Sequence, residues 1–375
     1  MNFAHLHVHT EYSLLDGSNK INEYVARVKE LGMNSAAITD HGVMFGCIDF
    51  YRAAKAAGIK PILGCEVYVA PGSRFDREIG QAEDRYYHLV LLAENNHGYE
   101  NLMKIVSKAF VDGFYYKPRV DMDLLQEYHE GIIALSACLA GEVAKNITRG
   151  MYEEAKSAAL RYEKIFGKGN FFLELQDHGI PQQQRVNQQL LRMSQETGIA
   201  LVATNDVHYT YDTDAEAHDI LLCVQTRKLL SDENRMRYEG GQYYVKSPEE
   251  MAELFPYIPE ALENTQKIAD RCEVEIEFGV TKLPKFDVPA PYTSWEYLNK
   301  LCYDGLKERY RGDLTELEKR LEYELGVIKT MGYVDYFLIV WDFIRFARDH
   351  DIMVGPGRGS AAGSLVSYTL GITKL

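Results

Sequence analysis

The sequence predicts an α/β fold of the (β/α) barrel type, and two observations lead to this prediction. Over residues 3–210 short apolar strands alternate with amphipathic helices, an order that is typical of a parallel sheet covered by helices. Seven strands of this kind follow one another, and a single run of that length favours a closed barrel over an open sheet.

Each predicted element rests on its own local pattern. The strands are short aliphatic and β-branched runs, whereas the helices repeat their apolar residues with a helical period. The predicted strands are residues 3–10, 35–39, 61–69, 88–93, 131–136, 171–175 and 200–204, and the helices 21–31, 48–57, 98–109, 141–165 and 182–197. Between the strands 61–69 and 88–93 the polar residues 71–84 predict a surface loop.

Composition limits the classes of protein that remain. The 375 residues are 46% hydrophobic, which is ordinary for a globular protein. The net charge of -14 argues against a surface that binds nucleic acid everywhere, because phosphate binding needs clustered cations, although a local basic groove is compatible with it. Six scattered cysteines without a C-x-x-C pair, no signal peptide and no long apolar run predict a cytoplasmic protein with free thiols and no membrane contact.

The first strand carries the most distinctive motif. His7 and His9 are two residues apart, so in a strand they project from one face while Leu6 and Val8 face the other side. Asp16 lies in the turn that follows and is a possible carboxylate ligand. Alternatively, the two histidines are solvated side chains on the surface. Further ligand-type side chains along the chain make that alternative less favoured.

Ligand-type side chains also follow most later strands, where the chemistry of such barrels resides. His88 opens its strand instead, so its place at the same end is less directly predicted, and Cys138 is alternatively a buried inert thiol. The candidate ligands are His7, His9, Asp16, His41, Glu66, His88, Cys138, Asp206 and His208. Nine ligands are too many for one ion, so two or three zinc, manganese or iron ions are expected. Clustered ions bridged by carboxylates favour phosphate-ester hydrolysis, with Asp16, Glu66 and Asp206 as the catalytic carboxylates.

These segments, from His7-Val-His-Thr10 and Thr39-Asp-His-Gly42 to Asp206-Val-His208, resemble the successive motifs of the PHP (polymerase and histidinol phosphatase) domain. The resemblance implies a distorted seven-stranded β/α barrel with a trinuclear metal site, and each of its nine ligand positions is matched. Some polymerase-associated members of that family have lost several ligands and serve as scaffolds, whereas this sequence keeps the full set.

The last quarter of the chain has a different character. Three prolines between Leu283 and Pro291 indicate a linker, so the predicted domains are residues 1–282 and 294–375, joined by the proline-rich linker 283–293. Charged helices and an apolar helix then lead to a glycine-rich segment that contains Arg358, with Ser360 and Ser364 at the start of a helix predicted over residues 361–370. A helix N-terminus of this kind suits a phosphate, although a glycine-rich turn alone is often only a tight turn.

The segment Val354-Gly-Pro-Gly-Arg-Gly-Ser-Ala-Ala-Gly-Ser364 resembles the start of the palm domain in the C-family of bacterial replicative polymerases, the DNA polymerase III alpha subunits. Residues 113–119 and 218–226 are similar to the same family. The resemblance implies a nucleotidyltransferase-type palm in which Arg358, Gly363 and Ser364 bind the incoming nucleotide. For the longer protein it implies primer–template DNA, deoxynucleoside triphosphates, magnesium in the palm, and replisome subunits such as the sliding clamp.

The same resemblance places the catalytic Asp-x-Asp pair of the palm beyond Leu375. We therefore expect an N-terminal fragment that does not polymerise DNA alone. Asp121-Met-Asp123 has the required spacing but lies inside the predicted barrel, so we do not assign it that role.

Three functions are open at this point. The first is 3′–5′ proofreading exonuclease activity in the PHP domain, and the second is a metal-stabilised scaffold that docks a separate proofreading subunit. The third, a free-standing phosphatase for a small phosphomonoester, is disfavoured by the palm-like segment. Residues 113–119, which are aromatic and basic, fit either DNA stacking or packing against the palm.

Overall fold

The computed structural model describes residues 3–78, 85–280, 282–357 and 359–374. The chain divides between Ile276 and Glu277 into two compact units. Among the described residues no helix has the length and apolar character needed to cross a membrane.

The first unit alternates strands and helices. Its strands are β1 (Ser35–Ile38), β2 (Lys60–Val69), β3 (Tyr87–Ala93), β4 (Arg119–Val120), β5 (Ile132–Leu135), β6 (Phe171–Leu175) and β7 (Leu201–Ala203). Its helices are α1 (Ile21–Glu30), α2 (Cys47–Ala57), α3 (Asn96–Val111), α4 (Met122–Glu127), α5 (Glu142–Thr148), α6 (Tyr152–Phe166), α7 (Pro181–Thr197), α8 (Ala215–Thr226), α9 (Pro248–Leu254) and α10 (Pro259–Arg271).

One curled sheet organises this unit. The strand order is β1-β2-β3-β5-β6-β7, with the short β4 paired to β2. The N-terminal segment joins the two ends of that order: Ala37 on β1 donates its N–H to His5 O (3.0 Å), and His9 donates to Val207 O just after β7 (2.8 Å). The predicted α/β barrel is thereby confirmed, with the N-terminal segment closing it.

The regular strand predicted for residues 3–10 is wrong. The described segment bends at His7 and makes only isolated bridges, at Val8 with Val207 and at Thr10 with Asn19. Leu6 and Val8 are both buried but pack in different apolar clusters rather than on one face.

The expected all-parallel sheet is also wrong at one strand. β3 runs antiparallel to both β2 and β5, whereas the pairs β1–β2, β5–β6 and β6–β7 are parallel. No helix crosses between β2 and β3 among the described residues, and parallel neighbours require such a crossover. The reversal places His88, at the start of β3, opposite Tyr68 near the carboxyl end of β2.

Alternation along the strands separates two cores. Ile62, Val90, Leu92, Ile133 and Val202 belong to the inner cluster, while their sequence neighbours pack outward against the helices. Helix α10 adds Ile268 and Ala269 to the inner cluster. Glu66 on β2 and Glu174 on β6 continue these inward rows, so the barrel interior changes from apolar to polar towards the carboxyl ends of those strands.

The second unit is helical. It contains α11 (Ser294–Arg309), α12 (Thr315–Thr330), α13 (Val334–Asp349), a 3-10 turn (Gly359–Gly363) and α14 (Leu365–Thr369), around a core that includes Leu298, Leu325 and Val366. The helix predicted over residues 361–370 is therefore too long at its start. Ser364 caps α14 by accepting a hydrogen bond from Ser367 N (3.1 Å), and residues before the cap wind as the 3-10 turn.

Candidate metal centre

The candidate ligands meet at the carboxyl ends of the parallel strands. His41 follows β1, Glu66 lies in β2, Cys138 follows β5, and Asp206 with His208 follows β7. His88 joins them from the start of β3 because that strand is antiparallel. The fold thus brings residues that are distant in sequence to one end of the barrel.

Residues 5–9, the closing segment of the barrel, supply two histidines to the site: His7 faces both Glu66 and Asp206, and His9 faces Asp206. His7 Nε2 lies 3.2 Å from Glu66 Oε1 and 3.2 Å from Asp206 Oδ1, and His9 Nε2 lies 3.2 Å from the same Asp206 oxygen. The bend at His7 allows both imidazoles to enter the site, with ring centroids 5.1 Å apart.

Glu66 also contacts the histidines on its other side. Its Oε2 is 2.5 Å from His41 Nδ1, and its Oε1 is 2.8 Å from His88 Nδ1. His41 Nε2 in turn lies 3.2 Å from Asp16 Oδ2. The fully buried Glu66 carboxylate therefore links three imidazoles and occupies the middle of the site.

The remaining predicted ligands lie at the edges of this network. His208 Nδ1 is 3.7 Å from Asp206 Oδ1, and its Nε2 is 3.8 Å from Asp16 Oδ1. Cys138 Sγ is 3.7 Å from His88 Nδ1. All nine predicted residues are thus connected through contacts below 4 Å.

Several of these buried atoms are close to one another yet make no hydrogen bond of acceptable geometry with any described residue. They are Nε2 of His7, His9, His41 and His218, and Oδ1 of Asp16 and Asp206. Each such atom costs about 1–3 kcal/mol when left without a partner in a protein interior. Two ligands of one tetrahedral ion with bonds near 2.0–2.1 Å lie about 3.3 Å apart. The 3.2 Å separations match that spacing, so this donor set fits divalent metal ions.

Within the described part of the chain, three overlapping groups have ligand atoms within 4.8 Å of one another: His7, His9 and Glu66; His9, His41 and His208; and His41, Glu66 and His88. Because His9, His41 and Glu66 each belong to two groups, neighbouring ions would share ligands or lie next to one another.

Comparison with known proteins agrees with the order of these elements. Residues 5–178 match the model of the PHP domain, and residues 296–375 match that of the bacterial DNA polymerase III alpha NTPase domain. The DNA polymerase III subunit alpha of Treponema pallidum is 49% identical over 100% of this chain and 32% of its own length. Those of Borreliella burgdorferi and Helicobacter pylori are 48% and 47% identical, each over 100% of this chain and 33% of the relative. Over its whole length the chain is thus similar to bacterial DNA polymerase III alpha subunits, and it carries a PHP domain followed by a DNA polymerase III alpha NTPase domain. It spans about a third of the length of these curated relatives.

Sequence reasoning missed His218 as a site residue. His218 lies on α8, is 2% exposed, and places Nε2 3.8 Å from Asp16 Oδ1. The sequence search followed strand ends, and a histidine on a later helix carries no such signal.

Glu174 was missed as well, although a signal was present. Its Oε1 lies 2.7 Å from His7 Nδ1 and accepts hydrogen bonds from Thr204 (2.5 Å) and Gln176 (3.0 Å). A carboxylate behind a metal-binding histidine fixes the ring and increases its basicity. An acidic residue inside the buried strand Phe171–Leu175 is the feature that points to this role.

Asp40 supports the turn that carries Asp16. Its Oδ1 accepts hydrogen bonds from Thr10 N (2.6 Å) and Ser13 Oγ (2.7 Å). These bonds hold the loop between the closing segment and α1, and they explain why Asp16 returns towards His41.

Burial and mutual attraction set the charges in the site. Burial, together with the imidazoles of His41 and His208, lowers the pKa of His9 to about 3. Burial also opposes protonation of His41, but Glu66 and Asp16 outweigh it and raise the pKa of His41 to about 10. The facing histidines overcome burial and lower the pKa of Asp16, Glu66 and Asp206, so these carboxylates are ionised at neutral pH.

Cys138 behaves differently from the carboxylates. Burial, reinforced by Asp206 and Glu66, raises the pKa of its thiol well above the usual range. A thiolate at this position needs a cation beside it, which a metal ion supplies.

The predicted nucleotide-binding residues belong to the second unit. Arg358 lies outside the described residues, and Gly363 ends the 3-10 turn. Ser364 Oγ donates to Glu324 Oε2 (3.0 Å), which also accepts from Val366 N (3.1 Å). A carboxylate thus contacts the start of α14, and nucleotide binding there stays a prediction.

Proposed function

We propose that the barrel of this chain binds divalent metal ions and hydrolyses the terminal phosphodiester at the 3′ end of DNA. The observation that supports this most strongly is the group of buried, unpartnered imidazole nitrogens and carboxylate oxygens that converge on one another. Zinc, manganese and iron suit that mixture of imidazole, carboxylate and thiol, and we propose two or three ions.

Divalent ions held there would activate water near neutral pH and neutralise charge on the phosphoryl group. The residues of the chain supply the rest. Asp16, Glu66 and Asp206 provide the negative charge that holds neighbouring cations, and Glu174 orients His7. Hydrolysis adds water across the last phosphodiester, which releases one nucleoside 5′-monophosphate and leaves a new 3′ hydroxyl.

A cleft of about 680 Å³ gives access to the site, and Asp16, His41 and His88 are among its lining residues. Tyr238 also lines it and places its hydroxyl 3.2 Å from His208 Nε2. Burial raises the pKa of Tyr238 well above its usual value, so the hydroxyl keeps its proton and can donate a hydrogen bond to a phosphate oxygen.

For the longer protein to which the family points, we propose DNA-directed DNA synthesis at a primer–template. Deoxynucleoside triphosphates with magnesium would bind the palm, and a sliding clamp would be among the partners. The PHP activity would then remove mispaired 3′ nucleotides. A separate small-molecule phosphatase is not proposed, because relatives match over the whole of this chain.

The first test combines elemental analysis of the purified chain with a gel assay on a 3′-mismatched primer. We expect two to three metal equivalents and stepwise loss of 3′ nucleotides. Asp206→Ala should lower the rate about a thousandfold or more, since several kcal/mol of transition-state stabilisation depend on the ions. Asp123→Ala is the matched control, because Asp123 is exposed on α4 and should leave the rate unchanged. An intact primer across metals and pH, at full metal occupancy, would reject the exonuclease.

One observation favours a second candidate, the metal-stabilised scaffold. His7 and His9 lie on the segment that closes the barrel, so ions bound to them would tie its two sheet edges together. A barrel held in this way could dock a separate proofreading subunit. A large drop in melting temperature on chelation, with no nuclease activity in the metal-loaded chain, would favour this alternative.

A further inference from the structure

The cleft over the candidate metal centre is lined by aromatic side chains that are exposed to solvent rather than buried in the core. Phe110, Phe114 and Tyr116 line the same cleft as Asp16 and are 39%, 52% and 61% exposed. We refer to Phe110, Phe114 and Tyr116 as the aromatic rim. Large exposed aromatics grouped at a cleft mark a binding surface more often than isolated ones do.

The first two rings of the rim lie side by side. The centroids of Phe110 and Phe114 are 6.1 Å apart and their planes are inclined by 30°. Phe110 lies in the last turn of α3, and Phe114 follows in the loop that leads to β4. One ring is therefore fixed by a helix and the other by the loop.

The loop between α3 and β4 is held in place by the buried side chain of Arg119. Arg119 is fully buried and donates hydrogen bonds to Gly113 O (3.2 Å) and Arg74 O (3.0 Å). Tyr116 adopts a left-handed backbone with φ 63°, and its ring meets Tyr115 edge to face at 4.7 Å. A platform that is already ordered loses little conformational entropy when a ligand binds.

The charge of the cleft suits an anionic ligand. Lys117 and Lys145 are among its lining residues, and Asp16, a candidate metal ligand, is the one carboxylate among the described lining residues. The guanidinium of Arg85 lies 3.8 Å from the centroid of the Tyr116 ring. This local excess of cations contrasts with the net charge of -14 for the whole chain.

We propose that the aromatic rim stacks the unpaired bases next to a 3′ end of single-stranded DNA, and that Lys117 and Lys145 contact the backbone phosphates. Rings beside cations form the usual platform for single strands, and stacking tolerates every base because each base has a π face. Bases inside a duplex are already stacked and paired, so the rim selects a frayed or mismatched end. This role rests on the proposed function, because the rim would hold the 3′ end of the DNA beside the candidate metal centre.

The test measures binding apart from catalysis. A single-stranded oligonucleotide carries 2-aminopurine next to its 3′ terminus and a phosphorothioate at the last linkage, and it is titrated with the 375-residue chain in EDTA. Stacking quenches 2-aminopurine fluorescence. We expect Phe114→Ala and Tyr116→Ala each to weaken binding about tenfold or more and to reduce the quench, in line with one lost base contact.

Four controls separate stacking from other causes. Phe114→Tyr keeps a π face and should bind like the unaltered chain, whereas Phe114→Leu keeps bulk without the ring and should not. Tyr257→Ala removes a tyrosine of similar exposure (52%) that does not line the cleft, and it should have no effect. An oligonucleotide with abasic sites at the last positions should bind the Ala variants and the unaltered chain alike.

The outcomes distinguish this inference from the proposed function. The metal content should be the same in the Ala variants and the unaltered chain, because neither Phe114 nor Tyr116 is a candidate metal ligand. Unchanged DNA binding in both variants would overturn the proposal that the aromatic rim stacks bases. It would instead favour packing of these rings against another part of the longer protein. A loss that is equal for abasic DNA would also overturn it. Absence of metal and of phosphodiester hydrolysis in the unaltered chain would reject the proposed function itself.

Discussion

Glu66 is the residue on which the candidate metal centre depends most. Its buried carboxylate contacts His7, His41 and His88. Glu174 stands one step further away, because it contacts His7 but none of the other candidate ligands among the described residues. The two acids therefore offer a comparison between direct binding of an ion and orientation of a ligand.

We predict that Glu66→Gln removes at least one metal equivalent and most of the phosphodiesterase activity. Glu174→Gln should keep the full metal count but weaken metal affinity about 10–100-fold, the usual effect of losing a carboxylate behind a histidine ligand. Chelator competition followed by elemental analysis measures both. Equal effects of the two substitutions would contradict the separate roles.

His178 provides a test of pH dependence away from the candidate ligands. It is 3% exposed, its Nε2 donates to Asn205 O (2.9 Å), and Gln183 Nε2 donates to its Nδ1 (2.9 Å). Burial lowers the pKa of His178 to about 4. An unfolded histidine titrates near 6.5, so the stability that this neutral ring contributes is complete above that pH and declines as the pH falls towards 4.

We predict that His178→Gln flattens this decline. The shift corresponds to about 3 kcal/mol of unfolding free energy between pH 6.5 and 4, which the variant cannot lose because glutamine does not titrate. Urea unfolding in EDTA at several pH values measures the slope. Parallel curves for the variant and the unaltered chain would show that His178 does not stay neutral in the folded state.

At the scale of elements, the closing segment connects the candidate metal centre to the fold. Residues 5–9 pair with β1 on one side and with Val207 on the other, and they carry His7 and His9. The short bridges leave little backbone pairing to hold the segment. Ions bound by the two histidines would therefore contribute much of its local stability.

We predict that chelation speeds amide hydrogen exchange in residues 5–9 by about tenfold or more, since local opening then costs less free energy. The amides of α6, which contributes none of the candidate ligands, serve as the internal control and should change far less. Exchange that is the same with and without metal along the closing segment would show that the ions do not tie the barrel edges together.

The elements also show what the sequence can and cannot reveal. The strand Phe171–Leu175 was predicted with its observed bounds, because a buried run between clear breakers leaves little choice. The direction of β3 was not predicted correctly, because the two-residue period of a strand is the same whether it runs parallel or antiparallel to its neighbours. The polar loop before β3 contained the missing information, because a strand pair without a crossover helix has to be antiparallel.

The candidate site divides in the same way. Nine ligands were predicted from spacing at strand ends and from family resemblance, and the fold places them within one network. His218 was not predicted because nothing in a helical pattern singles out a histidine that faces a distant turn. Glu174 was overlooked although a carboxylate in an apolar strand is itself unusual.

At the scale of the whole molecule, the net negative charge of the chain contrasts with the lysines that line the cleft. The chain carries a net charge of -14, yet Lys117 and Lys145 line the cleft over the candidate metal centre. A chain with this balance would repel nucleic acid over most of its surface and admit it at one place.

The measurement that tests the central claim most directly is anomalous diffraction from crystals of the chain loaded with manganese or zinc. We predict two or three anomalous peaks among His7, His9, Glu66 and Asp206, each within about 2.0–2.3 Å of the atoms that now lack partners. Peaks confined to the protein surface, or an empty site in metal-loaded crystals, would contradict a metal centre and with it the proposed hydrolysis.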